Sequence, residues 1–339
     1  MSLDFRTAIR DALTEELERD EQVVFFGEDV AAEGGVFKVT TGLSERFGVD
    51  RVFDTPISEL ALSGAAFGSA ITGLRPVIEI MFGDFLMLSM DGLVNQAAKY
   101  WYLSNEQHPV PLVVRSAVGA GARLGAIHSQ SPIAWFLGVP GLKIVCPSTP
   151  ADAKGLLKAS IRDDNPVLFL EHKRLYSVKG DEPTEELVPL GKANVARTGA
   201  DVTLVSVMKG VADALEAAET LAADGIDAEV VDLRTLRPLD LPTVLESVRK
   251  TYRLVVIEEG PRLGGWAAGL AGVVAAEALE TLDDVWVIAT PDTPVPHSPQ
   301  LEDAFLGGPG AIVAAVRERI GAEARGDEVP GAAPSAGAV

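Results

Sequence analysis

Cysteine is almost absent from this chain. Its single cysteine, Cys146, excludes any intrachain disulfide, and with it the class of small domains that depend on disulfide staples. Cys146 lies in the apolar run Leu142-Lys143-Ile144-Val145-Cys146-Pro147, which reads as a buried structural thiol in a reducing, cytoplasmic setting. Histidine is also scarce, with four in the chain. No Cys/His pair has zinc-ligand spacing, and neither a GxxxxGK[ST] phosphate loop nor a GxSxG elbow occurs, so zinc-site, kinase and hydrolase readings lose their basis. Long hydrophobic runs are missing, none reaching the ~18 residues of a membrane span. Asp4 and Arg6 stand where a signal peptide needs an apolar core. Positive charge is in deficit, with 29 Lys and Arg against 49 Asp and Glu and a net charge of -20. That balance repels phosphate backbones and anionic headgroups and argues against nucleic-acid and membrane partners.

What is present is an α/β pattern in two halves. At 339 residues and 47% apolar content the chain can bury two cores. In the first half the periodicity predicts helices over 4–20, 58–72, 85–104 and 150–162, and strands over 22–27, 76–81, 111–116, 142–146 and 166–171. That alternation implies a parallel sheet with helices on both faces. Ser58 is a candidate helix N-cap, Gly73 a candidate residue just past a helix end, and Pro150 sits early in a helix where its missing N–H does no harm. The polar, proline-bearing segment 176–190 reads as a linker between a first domain, 1–175, and a second, 191–322. In the second, strands are expected over 201–207, 226–232, 252–258 and 284–289, with helices over 209–223, 242–250, 264–280 and 309–321. The tail 323–339 has too few large apolar groups to offset ordering entropy and is expected to be disordered.

Three residues stand out as candidates for chemistry, each with a plainer alternative. Glu59 follows the strand-turn segment Arg51-Val-Phe-Asp-Thr-Pro56 on a first helical turn, where a carboxylate either complements the helix dipole or faces a ligand at the end of a parallel sheet. Phe85, in Met81-Phe-Gly-Asp-Phe85, is either core or a ring that stacks on a flat heterocycle. His128 lies in the glycine-rich loop Gly119-Ala-Gly-Ala-Arg-Leu-Gly125-Ala-Ile-His128, expected to be flexible, and is either structural or a proton carrier with a near-neutral pKa. His108, His172 and His297 are given no catalytic role. Gly119, Gly121 and Gly125 imitate a dinucleotide fingerprint with the wrong final spacing and no helix start, so a nicotinamide or flavin electron-transfer module is disfavoured.

Together these segments resemble the beta subunit of the pyruvate, branched-chain and acetoin dehydrogenase family over nearly the whole chain. The resemblance runs through Gly27-Glu-Asp-Val30, Arg51 to Glu59, Gly73-Leu-Arg-Pro76, Asn95-Gln-Ala-Ala-Lys99, His128-Ser-Gln-Ser131, Pro140-Gly-Leu-Lys143, Pro147-Ser-Thr-Pro150, Val231-Asp-Leu-Arg-Thr-Leu236 and Pro291-Asp-Thr-Pro-Val-Pro296. It implies two doubly wound domains, a pyrimidine-binding domain for thiamine diphosphate and a transketolase C-terminal-like domain. It implies that Glu59 hydrogen-bonds N1′ of the thiamine pyrimidine, that Phe85 stacks on that ring, and that His128 serves proton transfer when the acyl group passes to a lipoyl disulfide. It further implies a potassium ion near the carbonyls of Leu112, Ser160, Ile161, Asp163 and Asn165, and a partner contact at Asp292. The Gly-Asp-Gly diphosphate and magnesium motif is missing, because Asp91-Gly92 and Asp224-Gly225 have no preceding glycine. Half a site is therefore expected here, with diphosphate and magnesium held by an alpha subunit in a tetramer of two alpha and two beta chains, and a single-chain transketolase is disfavoured. The resemblance leaves the substrate among pyruvate, acetoin and branched-chain 2-oxo acids, with pyruvate favoured. The rival from another class is a noncatalytic scaffold that docks on a lipoyl acyltransferase core.

Overall fold

Four segments, Val23–Gly27, Arg75–Ile80, Val113–Val118 and Val167–His172, are mainly apolar with little alternation, and nearly every residue in them is buried. That pattern belongs to parallel strands covered on both faces. In the computed structural model, which describes residues 2–181 and 187–325, they form the centre of a seven-stranded sheet. Its spatial order is Thr235–Arg237, Lys143–Val145, Val167–His172, Val113–Val118, Arg75–Ile80, Val23–Gly27, Val52–Asp54. All pairs are parallel except the edge strand Thr235–Arg237. The second sheet has the order Asp284–Thr290, Arg253–Pro261, Val202–Ser206, Ala228–Asp232, Asn194–Arg197, antiparallel only at the last pair. The chain thus folds as two doubly wound α/β units.

Local chemistry sets several boundaries. The helix expected from residue 4 begins at Phe5 because the Asp4 carboxylate caps it, accepting from Thr7 N at 2.7 Å. The helix Glu59–Ile71 ends in a Schellman motif: Gly73, at φ +107°, donates to Ala70 O and Leu74 N donates to Ser69 O at 3.0 Å. Pro150 takes the first position of Pro150–Arg162, with Thr149 as cap accepting from Asp152 N.

The expected helix over 85–104 is corrected. The segment is a tight turn, Gly83–Ser89, then a wide π-helical stretch, Asp91–Ala97, then a short α-helix, Ala98–Leu103. Close approach to the helix Glu59–Ile71 is one cause, since a Cβ at Gly92 would lie 2.6 Å from Ser63 Oγ. Asp91 also binds both Asn95 Nδ2 and Gln96 Nε2 at 2.9 Å, and the five-residue reach suits the wider turn. Elements not expected include Ser2–Asp4, Leu43–Phe47, Ile133–Leu137, the single turn Lys173–Leu175, Asn194–Arg197, Pro299–Leu306 and two further short strands made by distant partners. One is Lys179–Asp181, within the expected linker, which pairs antiparallel with Ser2–Asp4. The other is Thr235–Arg237, which crosses from the second half onto the first sheet; beside it Cys146 N donates to Arg234 O at 2.8 Å. Cys146 is fully buried there, and burial pushes its thiol pKa well up. The last helix, Gly308–Arg325, runs past the expected end at 321, while 182–186 and 326–339 lie outside the described residues. Among the described residues no helix is long and apolar enough to cross a membrane.

Candidate active site

Parallel register brings the carboxyl ends of the first-sheet strands into one row. Gly27 pairs with both Asp54 and Glu79, Ile80 with Ser116, and Val118 with His172. The segments that leave these ends carry Glu28, Glu59, Phe85, His128 and Lys173, so all five share one end of the sheet, the place where open α/β sheets bind ligands.

Glu59 opens the helix Glu59–Ile71 and is largely buried. Ser58 occupies the N-cap position as expected, but its hydroxyl makes no capping bond. Its N–H instead reaches Glu28 Oε1 at 3.2 Å, which ties the two carboxylate-bearing segments together. Burial, the neighbouring Glu59 charge and Asp29 push the Glu28 pKa up, against the Ser58 N–H. Glu28 was not singled out from the sequence, though it stands in Gly27-Glu-Asp-Val30. The signal available was a carboxylate immediately after a buried strand. Strand packing fixes its start, because a Cβ at Gly27 would lie 2.7 Å from Glu79 O.

Phe85 and His128 are brought into contact, their rings 5.4 Å apart and near-perpendicular at 86°. Phe82 joins them, 4.7 Å from His128 and 6.2 Å from Phe85. The helix carrying Glu59 packs on the turn carrying Phe85. Beneath the loop, the buried Lys173 ammonium donates to the His128 carbonyl and lies 5.5 Å from the Phe82 ring centroid. Burial lowers the Lys173 pKa to about 8, against the opposing pull of Asp84, Glu259 and Glu302. Asp84 Oδ1 accepts from Gln130 N and Nε2 at 3.2 and 2.8 Å, fixing the residues just past His128.

The loop expected to be flexible is instead tied at several points. Gly119 and Gly121 both have positive φ, and a Cβ at either would lie 2.2 Å from a first-domain side chain, His172 Nε2 or Arg174 Cδ. Their spacing is therefore explained by close approach, not by a phosphate cradle. His172 accepts from Arg174 N at Nδ1 and contacts Glu259 Oε2 at 2.9 Å through Nε2, so the hydrogen bonds assign its proton to Nε2. Although burial raises the Glu259 pKa, His172, the Ala120 N–H and Lys173 outweigh it and hold this carboxylate below its ordinary value.

Leu112, Ser160, Ile161, Asp163 and Asn165 gather at the other end of the strands, around the end of the helix Pro150–Arg162. Leu112 O accepts from Val167 N at 2.8 Å, and Arg75 donates to Ile161 O at 3.0 Å and Asp163 O at 2.8 Å. Each carbonyl oxygen has a second lone pair, so the donors are of the hard-oxygen kind that suits an alkali cation, with Arg75 already drawing on two of them. Asp292 is exposed and lines a cleft of about 520 Å³ between the domains, with Ile127, Trp135, Pro261 and Phe305. Neither Glu59 nor Phe85 lines that cleft. Among the described residues no group of three or more His, Cys, Asp or Glu could hold a metal ion.

Residues 1–179 match the transketolase pyrimidine-binding domain and residues 191–312 the transketolase C-terminal domain. The chain is 47% identical over 319 residues to a pyruvate dehydrogenase E1 component subunit beta from Rhizobium meliloti, covering 93% of this chain and 69% of the relative. It is 46% identical over 330 residues to the acetoin:2,6-dichlorophenolindophenol oxidoreductase subunit beta of Cupriavidus necator, covering 94% and 97%. Over 320 residues it is 45% identical to the 2-oxoisovalerate dehydrogenase subunit beta of Bacillus subtilis, covering 93% and 98%. A solved structure of a split-gene transketolase, an inactive beta4 tetramer, superposes with a TM-score of 0.77 at 25% identity, covering 93% of this chain and 98% of that one.

Proposed function

This chain belongs to the family of E1 beta subunits of thiamine-diphosphate-dependent 2-oxoacid dehydrogenases, and we propose that it completes an active site with an alpha subunit for oxidative decarboxylation of pyruvate and acyl transfer to a lipoyl disulfide. The observation that carries this reading is a polar and aromatic constellation rimmed by bare apolar side chains. Ile57 is 81% exposed, and Leu60, Met87, Leu88 and Ile127, neighbours in sequence of Glu59, Phe85 and His128, are exposed too. Large apolar groups left in water around a site mark a surface that a partner covers. The absence of a Gly-Asp-Gly motif supports the reading that the partner holds diphosphate and magnesium, and the proposed assembly is a tetramer of two alpha and two beta chains. The split-gene transketolase, inactive as a beta4 tetramer, supports the same logic.

Thiamine diphosphate, when bound, supplies the electron sink for decarboxylation. The residues of this chain fit its pyrimidine half. Glu59 shares a proton with ring nitrogen N1′, and the Phe85 ring provides a flat apolar wall. Steadied against Phe82 and Phe85, His128 moves a proton at the lipoyl sulfur as the disulfide is reduced. The bulk of Phe82, Phe85 and His128 favours a small 2-oxo acid, pyruvate, with acetoin and then branched-chain substrates as alternatives. The carbonyls of Leu112, Ser160, Ile161, Asp163 and Asn165 would hold potassium through the lone pairs that Arg75 leaves unused, and Asp292 is the proposed contact to the lipoyl acyltransferase core. A purely structural scaffold has no use for Glu59, Phe85 and His128 gathered at one sheet end.

The test is ferricyanide reduction with pyruvate, acetoin or 3-methyl-2-oxobutanoate, with thiamine diphosphate and magnesium, by this chain with and without its alpha subunit. Activity is expected only in the mixture, highest with pyruvate, and lost in Glu59→Gln. Turnover by this chain without a partner refutes the shared site.

A further inference from the structure

His128 sits on a loop of the first domain, yet much of what shapes that loop comes from the second. Glu302 is a fully buried carboxylate on the helix Pro299–Leu306. Its Oε1 accepts from Gly121 N at 2.9 Å, and its Oε2 accepts from Arg123 N at 3.2 Å and Arg123 Nη1 at 2.8 Å. The same guanidinium donates to Pro299 O and to Asp303 Oδ1, at 2.8 and 2.7 Å. One residue earlier, Ala120 N donates to Glu259 Oε1 at 2.6 Å, while the other oxygen of Glu259 holds His172. Three backbone N–H groups in the stretch 120–123 are therefore satisfied by carboxylates more than a hundred residues away in sequence. A buried charge is tolerated only when paired and hydrogen-bonded, so the Glu302 side chain and the loop conformation require each other. Arg123 adopts φ +61°, a left-handed conformation that these bonds hold in place.

We infer that Glu302, with Glu259, is a positioning residue for His128: the second domain anchors the loop whose ring packs on Phe82 and Phe85, and acyl transfer depends on that anchoring. This rests on the reading of His128 given above. Glutamine at 302 keeps one acceptor oxygen but turns an amide N–H₂ toward donors that need an acceptor. The loop then shifts while Glu59 and Phe85, on other segments, stay in place.

The experiment uses the full enzyme of alpha and beta chains, saturated with thiamine diphosphate and magnesium, and compares pyruvate-driven ferricyanide reduction with reductive acylation of a free lipoyl domain. For Glu302→Gln, kcat for acylation should fall about tenfold or more, in line with the cost of sub-ångström misplacement, with KM for the lipoyl domain and the ferricyanide rate within about twofold. Arg123→Gln, at a guanidinium about a third exposed, should fall in the same direction by about threefold. It decides the matter if Glu302→Gln does not assemble. Equal losses in both assays reveal a merely structural role and overturn the inference. Acylation that survives Glu302→Gln and Arg123→Gln but fails in His128→Gln overturns it too, leaving the reading of His128 standing. Acylation that survives His128→Gln as well sinks that reading and the inference together.

Discussion

Replacing Arg115 by methionine removes a buried guanidinium from a sealed cluster. Arg115 is 1% exposed and makes bonds of 2.7 and 2.8 Å to the two oxygens of Glu171, a third of 2.8 Å to Glu79, and lies 5.8 Å from the Phe25 ring centroid. The Tyr176 hydroxyl donates to Glu171 at 2.9 Å. Burial raises the Glu79 pKa, while Arg115 opposes that rise and Glu171 adds to it. Methionine fills most of the volume but leaves two buried carboxylates uncompensated, and breaking a buried pair in this way costs about 3–5 kcal/mol. With a urea slope on the order of 3 kcal/mol per molar, the unfolding midpoint should fall by about 1–1.7 M. The sign of the pH dependence follows from the carboxylates. In the variant Glu79, already raised by burial, loses the opposing guanidinium and is easier to protonate folded than unfolded, so the folded state binds more protons and stability falls as pH rises above the ordinary carboxylate range. The defect should therefore be smaller near pH 5 than at pH 8, in urea titrations of wild type and variant at matched protein concentration. A midpoint change under about 0.3 M, or a defect that shrinks as pH rises, would refute the claim that the guanidinium compensates these carboxylates.

Phe85→Ala should weaken thiamine diphosphate binding by about tenfold in calorimetric titration of the alpha-beta enzyme, the worth of one aromatic stack, and an unchanged Kd would remove Phe85 from the site. Gly119→Ala forces a Cβ to within 2.2 Å of His172 Nε2 at φ +87°, whereas Gly42→Ala has a similar φ of +84° and nothing within 4 Å. The first should cost about 3 kcal/mol or more and the second about 1 kcal/mol, read from denaturant midpoints; equal costs would show that strain, not contact, dominates. Lys173, with its pKa lowered to about 8 from 10.5, loses its proton in the fold before it does in the unfolded chain. Its contribution to stability thus rises with pH across that interval, by on the order of 2–3 kcal/mol, and the difference between wild type and Lys173→Met should change by that amount between pH 7.5 and 10.5. A pH-independent difference would mean that Lys173 is solvated.

The first sheet was legible because Val23–Gly27, Val113–Val118 and Val167–His172 are buried on both faces and mainly apolar, a pattern local enough to read despite Arg115 and Glu171 within it. Thr235–Arg237 and Lys179–Asp181 are strands only because a distant edge accepts them, and the break at Asp91–Ala97 depends on Ser63 pressing against Gly92. The site divides in the same way. Glu59, Phe85 and His128 could be weighed as residues but were assigned roles through resemblance, while Glu28, Glu259 and Glu302 passed as ordinary acidic residues.

That oversight has a physical cause. Composition yields only a net charge that repels polyanions and says nothing of where the acids lie, yet Glu28, Glu79, Glu171, Glu258 and Glu302 are interior. Several take the place of backbone acceptors where two segments meet. Glu258 receives Trp266 N and Ala267 N at 3.0 and 2.8 Å at the start of the helix Trp266–Glu277, and Glu302 does the same for the His128 loop. A carboxylate accepts several N–H groups and favours a helix start, which a hydroxyl cap does with less charge. Part of the acidity therefore belongs to the way the domains hold each other and the His128 loop, and net charge cannot separate that part from the solvated remainder.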